Sequence, residues 1–186
     1  MNKIVKVGVT LLIISSFAAT SLAVVNKITE PKIAEYEAKV LEDALKEVSG
    51  EFEVGSQREI SSNDTIKALY LLEDNNGEHT GYILQLEGTG YGGPMTLMAG
   101  FLTGGEIIDA KLLNNSETPG LGKKAENKTY MDKFKMTGSL EKEVPIKKEM
   151  LDKGDADAVS GSTVTFSGIA KTLAKGSEYV KNLGGK

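Results

Sequence analysis

Residues 65–86 read TIKALYLLEDNNGEHTGYILQL, and this stretch decides the fold. Thr65 to Leu72 is apolar and uninterrupted enough to read as a strand. Glu73 to Glu78 carries the Asn-Gly chemistry of a tight turn. Thr80 to Leu86 then returns as the partner strand. A hairpin closed by so short a turn is antiparallel. His79, at its mouth, reads as a solvated turn residue.

A second hairpin follows. Met95 to Phe101 and Glu106 to Leu113 flank Thr103-Gly104-Gly105. Four neighbouring strands joined by tight turns predict an antiparallel sheet. The glycine-rich link between the hairpins, Glu87 to Pro94, lacks the Gly-x-Gly-x-x-Gly order ahead of a helix, so a dinucleotide fingerprint is rejected. A bulge or a close approach of backbone explains its glycines better.

Helices are expected on either side of the sheet. Ile33, Val40, Leu41, Ala44, Leu45 and Val48 share one face over Thr29–Val48. Thr29 is a candidate cap, Pro31 fits a first turn, and Ser49-Gly50 is a stop. So wide a stripe suits packing on a domain better than a free stalk. Lys123 to Lys135 reads as a helix, with lysines solvated around it. Leu151 to Asp157 reads as a charged turn. Thr163 to Leu183 is helical, with Phe166, Ile169, Leu173 and Val180 on one face. Gly168 and Gly176 within it lower helix propensity by about 1 kcal/mol each relative to Ala and suggest close packing on the sheet.

The N-terminus is of another kind. Lys3 and Lys6 precede an uncharged run, Val7 to Val25, of about 19 residues, or about 28 Å as helix. That nearly spans a hydrocarbon core of about 30 Å. The positive-inside tendency puts the N-terminus in the cytoplasm and the rest outside. Ser21-Leu22-Ala23 offers a cleaved signal peptide as the rival reading, but the run is long for one.

Composition narrows the chemistry. In 186 residues there is no Cys and one His, and net charge is −4 with both signs interspersed. Thiolate metal sites, iron–sulfur clusters and multi-His sites within this chain are excluded, and nothing has the charge pattern of a nucleic-acid binder. Redox chemistry here requires a borrowed cofactor. Two stretches are suited to hold one. Asp157 to Thr165 opens the last helix, and Ser160, Ser162, Thr163 and Thr165 place four hydroxyls around Gly161. A helix start with small side chains leaves N–H groups open to an anion. Glu117-Thr118-Pro119-Gly120-Leu121-Gly122 contains a Pro-Gly turn and two glycines that let backbone approach a planar ring.

Ser160 to Thr165 resembles the flavinylation motif of the FMN-binding domain family, Ser/Thr-Gly-Ala-Thr-x-Ser/Thr, with Ser162 standing where the family usually has Ala. Glu117 to Gly122 resembles the loop that lies against the flavin in that family, about 40 residues earlier. With the apolar segment ahead of both, the chain is most similar to G subunits of Rnf-type electron-transport complexes. C subunits of the sodium-translocating NADH:quinone reductase come second, and a stand-alone exported electron carrier is a further alternative. The resemblance implies FMN joined through a phosphoester to Thr165. Glu117, Thr118, Gly120, Leu121, Gly122, Ser160, Gly161, Ser162 and Thr163 would be cofactor contacts. It implies electron relay during ferredoxin:NAD+ oxidoreduction coupled to ion translocation, with no substrate or metal site in this chain. Other membrane subunits would be its partners, and a separate flavin transferase would mature it. The expected organisation is an α+β chain: a membrane anchor (1–27), a juxtamembrane or packing helix (28–50), and an FMN-binding domain outside the cytoplasm (51–186).

Overall fold

A computed structural model describes residues 2–60 and 64–184. Compact packing divides the chain into two units, Met1–Glu42 and Asp43–Lys186. The first is the greater part of one helix, α1 (Lys3–Val48). This helix is long and apolar enough to cross a membrane. Its hydroxyls turn inward, as lipid requires: Thr10 Oγ1 donates to the Lys6 carbonyl at 2.9 Å and Thr20 Oγ1 to Ser16 at 2.8 Å. The expected helix start at Thr29 does not occur. Thr29 Oγ1 donates back to the Val25 carbonyl at 2.9 Å, and Pro31 lies inside α1. Pro31 lacks an N–H for the carbonyl four residues earlier, yet its fixed φ is helical, so the helix runs on.

The second unit holds a five-stranded antiparallel meander in the order β1-β2-β3-β4-β5. Its strands are β1 (Glu53–Arg58), β2 (Ile66–Glu73), β3 (His79–Thr89), β4 (Pro94–Leu102) and β5 (Ile107–Asn115). Both expected hairpins are present. The Asn-Gly turn forms because Gly77 takes φ +78° and Asp74 Oδ1 accepts the N–H groups of Asn76 and Glu78, each at 2.8 Å. His79 begins β3, exposed, edge-on to Tyr82. Strand β1 was not expected. Its EVGSQR sequence buries nothing fully, so no apolar alternation marks it.

Helix α4 (Thr163–Gly184) packs on one face. Phe166, Ile169, Ala170, Leu173 and Val180 meet Leu84, Leu86, Leu97 and Phe101 in the main core. Its glycines set the approach. A Cβ on Gly176 would lie 2.8 Å from the Phe101 ring, and one on Gly168 would overlap the Thr89 carbonyl. The other face receives the end of α1. Gly100 has no room for a Cβ beneath the Val48 carbonyl, and Ala44 and Val48 are the fully buried residues of α1. Of the expected Thr29–Val48 stripe, Ala44 and Val48 are the residues buried. Gly50, at φ +65°, ends the helix as anticipated.

Two further expectations are corrected. Lys123–Lys135 is not one helix. It is a 3-10 turn (Gly122–Glu126), helix α2 (Lys128–Met131) and a second 3-10 turn (Asp132–Phe134). Asn127 is extended, at φ −81° and ψ 136°, and breaks the run. Tyr130, Met131 and Phe134 are nonetheless buried together. The charged turn before the last helix contains a short helix, α3 (Lys153–Ala158).

Nor are all of the lysines simply solvated: Lys128 and Lys135 converge on one carboxylate. Asp109 is 5% exposed. Its Oδ2 lies 3.1 Å from Lys128 Nζ and 2.8 Å from Lys135 Nζ, and its Oδ1 accepts the Ala110 N–H. Glu47, near the end of α1, joins this network through Lys128 at 3.8 Å and pairs separately with Lys111 at 2.6 Å. A buried carboxylate is tolerated only with such pairing.

Gly168→Ala tests which effect governs α4. Propensity alone predicts a gain of about 1 kcal/mol. The clash with the Thr89 carbonyl predicts a net loss of about 1–2 kcal/mol, because backbone cannot step aside. Urea denaturation of the full-length protein in detergent should show a lower midpoint for the variant.

Candidate functional site

The two motif stretches meet beside the start of α4. Tyr91, Glu117, Thr118, Leu121, Gly122, Gly161, Ser162, Thr163, Val164 and Thr165 line a cleft of about 440 Å³. That is within the range of small-cofactor sites, about 300–1,000 Å³. A Cβ on Gly161 would sit 3.3 Å from Leu121 Cδ2, so one loop rests on the other. Of the ten residues expected at the site, eight line this cleft. Gly120 and Ser160 do not. Gly120 sits in the turn, at φ +78°, where the Leu121 N–H reaches the Thr118 carbonyl at 3.2 Å. Ser160 is exposed and its hydroxyl donates back to Ala156 at 3.1 Å.

The first turn of α4 is the polar end of the cleft. The Phe166 N–H makes the first helical bond, to the Ser162 carbonyl at 2.9 Å, which makes Ser162 the N-cap. No protein acceptor takes the N–H groups of Thr163, Val164 or Thr165 among the described residues. Three donors at the positive end of a 22-residue helix suit a phosphate. Thr165 is 1% exposed and lines the cleft. Gly161, at φ +83°, makes the turn into the helix.

Glu117 closes the other side. It is 4% exposed, and its Oε1 accepts the Gly92 N–H at 3.2 Å. A Cβ on Gly90 or Gly122 would overlap its carboxylate, and Gly92 has no room against the Ser116 carbonyl. The glycine run between the hairpins therefore exists to let backbone close on Glu117 and its neighbour. Glu117 Oε2 is buried without a hydrogen-bond partner among the described residues. A buried acceptor left unsatisfied is costly, and lining a cleft it invites a donor from a ligand. Tyr91, Leu121 and Val164 form an exposed apolar rim, 73%, 46% and 56% exposed. The residues thus fit a group with a phosphate at one end, hydrogen-bond donors in its body and a flat apolar face.

Tyr130 was missed as a site residue, because its spacing marked it only as core. Its ring stands edge-on to Phe166, and its hydroxyl lies 3.3 Å from Ser162 Oγ. Burial pushes the phenol above its ordinary 10.0. The Ser162 hydrogen bond opposes the shift, and the Glu117 charge adds to it. Nearby Lys133, whose side chain is 8% exposed, pairs with Asp155 of α3 at 3.1 Å.

These features define a cofactor-binding α+β domain behind a long apolar helix. The family model of the FMN-binding domain matches residues 90–178, and that of the RnfG N-terminal region matches residues 1–48. The chain is 30% identical to the G subunit of the Na(+)-translocating ferredoxin:NAD(+) oxidoreductase complex of Acetobacterium woodii, covering 96% of this chain and 92% of that one. It is 28% identical to the G subunit of the ion-translocating oxidoreductase complex of Methanosarcina acetivorans, over 96% and 95% of the two chains. The corresponding G subunit of Escherichia coli is also 28% identical, over 98% and 94%. The chain belongs to the family of G subunits of Rnf-type ion-translocating oxidoreductase complexes, and it carries that family's FMN-binding domain.

Tyr130 and Lys135 predict an alkaline limb in stability. The Asp109 hydrogen bond raises Lys135 above its ordinary 10.5, as burial raises Tyr130. Both protons are held more tightly folded than unfolded. Their contribution is whole below about pH 10 and is lost as pH rises through the native values. Urea midpoints of the full-length protein should fall over that range, and Tyr130→Phe should make the fall shallower.

Proposed function

We propose that the chain is a membrane-anchored electron-transfer subunit that carries FMN as a phosphodiester on Thr165. The observation that carries this reading is the position of Thr165. It lines the cleft, in the helix turn whose three N–H groups have no protein acceptor among the described residues. The attaching reaction balances as a transfer from FAD. The Thr165 hydroxyl oxygen attacks the FMN-side phosphorus, the pyrophosphate bond breaks, AMP leaves and the hydroxyl proton is released. A separate magnesium-dependent flavin transferase catalyses it.

The phosphodiester keeps about one negative charge, which the N–H groups of Thr163, Val164 and Thr165 would hold. Leu121 and Tyr91 would flank the ring, and Glu117 Oε2 would accept a hydrogen bond from it or from the ribityl chain. When bound, the flavin supplies the capacity to accept and donate electrons, which these side chains lack. The tether prevents loss of the cofactor by dilution outside the cytosol. Residues 1–27 serve as anchor with a cytoplasmic N-terminus, 28–50 connect, and 51–186 present the flavin on the far side of the cell membrane. The relatives' names support relay between subunits of a complex that couples ferredoxin:NAD+ oxidoreduction to ion translocation.

Peptide mass spectrometry of protein from a host with the transferase should find the mass of FMN less one water on the peptide containing Thr165. Thr165→Ala should carry none after denaturation; a denatured variant that still fluoresces as flavin sinks the assignment. Glu117→Gln should stay fully flavinylated but titrate at a higher midpoint potential, by roughly 30 mV per 1.4 kcal/mol of charge repulsion removed. An unchanged titration would separate Glu117 from the ring.

A further inference from the structure

Ser162 stands where a serine ordinarily caps its own helix. In that role its Oγ accepts the N–H of the second or third helical residue, here Val164 or Thr165. Such a cap competes directly with a phosphate for the same donors. The structure shows the side chain turned elsewhere. Ser162 Oγ donates its single proton to the Val159 carbonyl at 3.1 Å, and the Tyr130 hydroxyl lies 3.3 Å away. With that proton committed, Tyr130 is the donor and Ser162 the acceptor. Ser162 is 4% exposed and Tyr130 is 4% exposed, so water does not substitute for either partner.

We infer that Tyr130 is a positioning residue which, by holding Ser162 Oγ away from the first turn of α4, keeps the N–H groups there free for the phosphate of an incoming flavin nucleotide. The inference rests on the reading of Thr165 as the attachment residue. Among the described residues Tyr130 hydrogen-bonds to neither those N–H groups nor the Thr165 hydroxyl, and acts through Ser162. Remove its hydroxyl and the Val159 carbonyl alone still holds Ser162 Oγ, so rotation onto the Thr165 N–H becomes easier. The helix then becomes better capped and a poorer anion site. Tyr130→Phe keeps the ring in its edge-on place against Phe166, 6.3 Å between centroids, so the core is preserved.

The test is a rescue cycle on full-length protein in detergent, with purified flavin transferase, FAD and magnesium. Covalent flavin is followed by fluorescence of the denatured chain. Tyr130→Phe should be modified more slowly by roughly fivefold, the effect of one ordinary side-chain cap. Ser162→Ala, whatever its own rate, is the reference for the cycle: adding Tyr130→Phe to it should slow modification no further. A merely structural role for Tyr130 would slow the double variant below Ser162→Ala by the same factor as Tyr130→Phe slows the parent, and that result overturns the inference, as does an unimpaired Tyr130→Phe.

Amide hydrogen exchange at Val164 and Thr165 gives an arm that needs no flavin. The parent and Ser162→Ala should exchange alike, and Tyr130→Phe should be protected about fivefold more. Protection in the parent above that in Ser162→Ala would show that Ser162 already caps, and would overturn the inference even if Tyr130→Phe failed to fold. A parent that carries no flavin on Thr165 would instead sink the attachment reading, while the exchange comparison would still decide whether Tyr130 restrains Ser162.

Discussion

The approach of α4 to β3 and β4 is the constraint on which the site depends. Gly168 meets the Thr89 carbonyl and Gly176 meets Phe101 with no space for a methyl group. Helix and sheet are thus seated at a fixed height. The start of α4 consequently falls beside the loops at the end of the hairpins. Phe166, stacked on Phe134 with centroids 5.1 Å apart, fixes the helix from the same side. Had larger residues stood at Gly168 and Gly176, the helix would ride higher and its first turn would leave the cleft.

A second set of glycines works in the same way on Glu117. Gly90, Gly92 and Gly122 come from two different loops and enclose one carboxylate and its backbone. The Gly92 N–H fixes one oxygen while the other is left to the cleft. The site is therefore backbone-built on both sides: N–H groups at the head of α4, and glycine backbone around Glu117. Side chains supply the apolar rim. The ion pairs around Asp109 belong to the opposite face, where they join the end of α1 to β5 and to the segment after it.

Much of this could be read from the chain. Asn-Gly at residues 76–77 marked the first hairpin, and the 3.6-residue spacing of Phe166, Ile169 and Leu173 marked α4 and its buried face. The signals failed where the structure is held by contacts distant in sequence. Strand β1 pairs with β2 through its backbone and buries no side chain, so periodicity had nothing to report. The break at Asn127 divides a segment that reads as continuous helix, because tertiary packing of Ala125, Tyr130 and Phe134 decides its path. At the site, the grouping of residues 117–122 with 160–165 rested on a resemblance. Spacing alone gives no distance between loops about 40 residues apart. The roles of Tyr130 and of the glycines at 90 and 92 needed coordinates, since a core aromatic and a turn glycine look the same wherever they face.

The meander leaves two open borders, and each is closed to unwanted pairing in its own way. Strand β1 is short, charged at both ends, and loses register between Val54 and Gln57, so it offers a poor template to another chain. The outer border of β5 is used from within: the Ile107 N–H reaches the Thr137 carbonyl at 2.8 Å and the Met136 N–H returns to Ile107 at 2.9 Å. At that end of β5 a neighbouring polypeptide therefore finds the border already taken. At those two places, recognition by another chain falls to side chains and surface shape, because the backbone there is already spoken for or badly aligned.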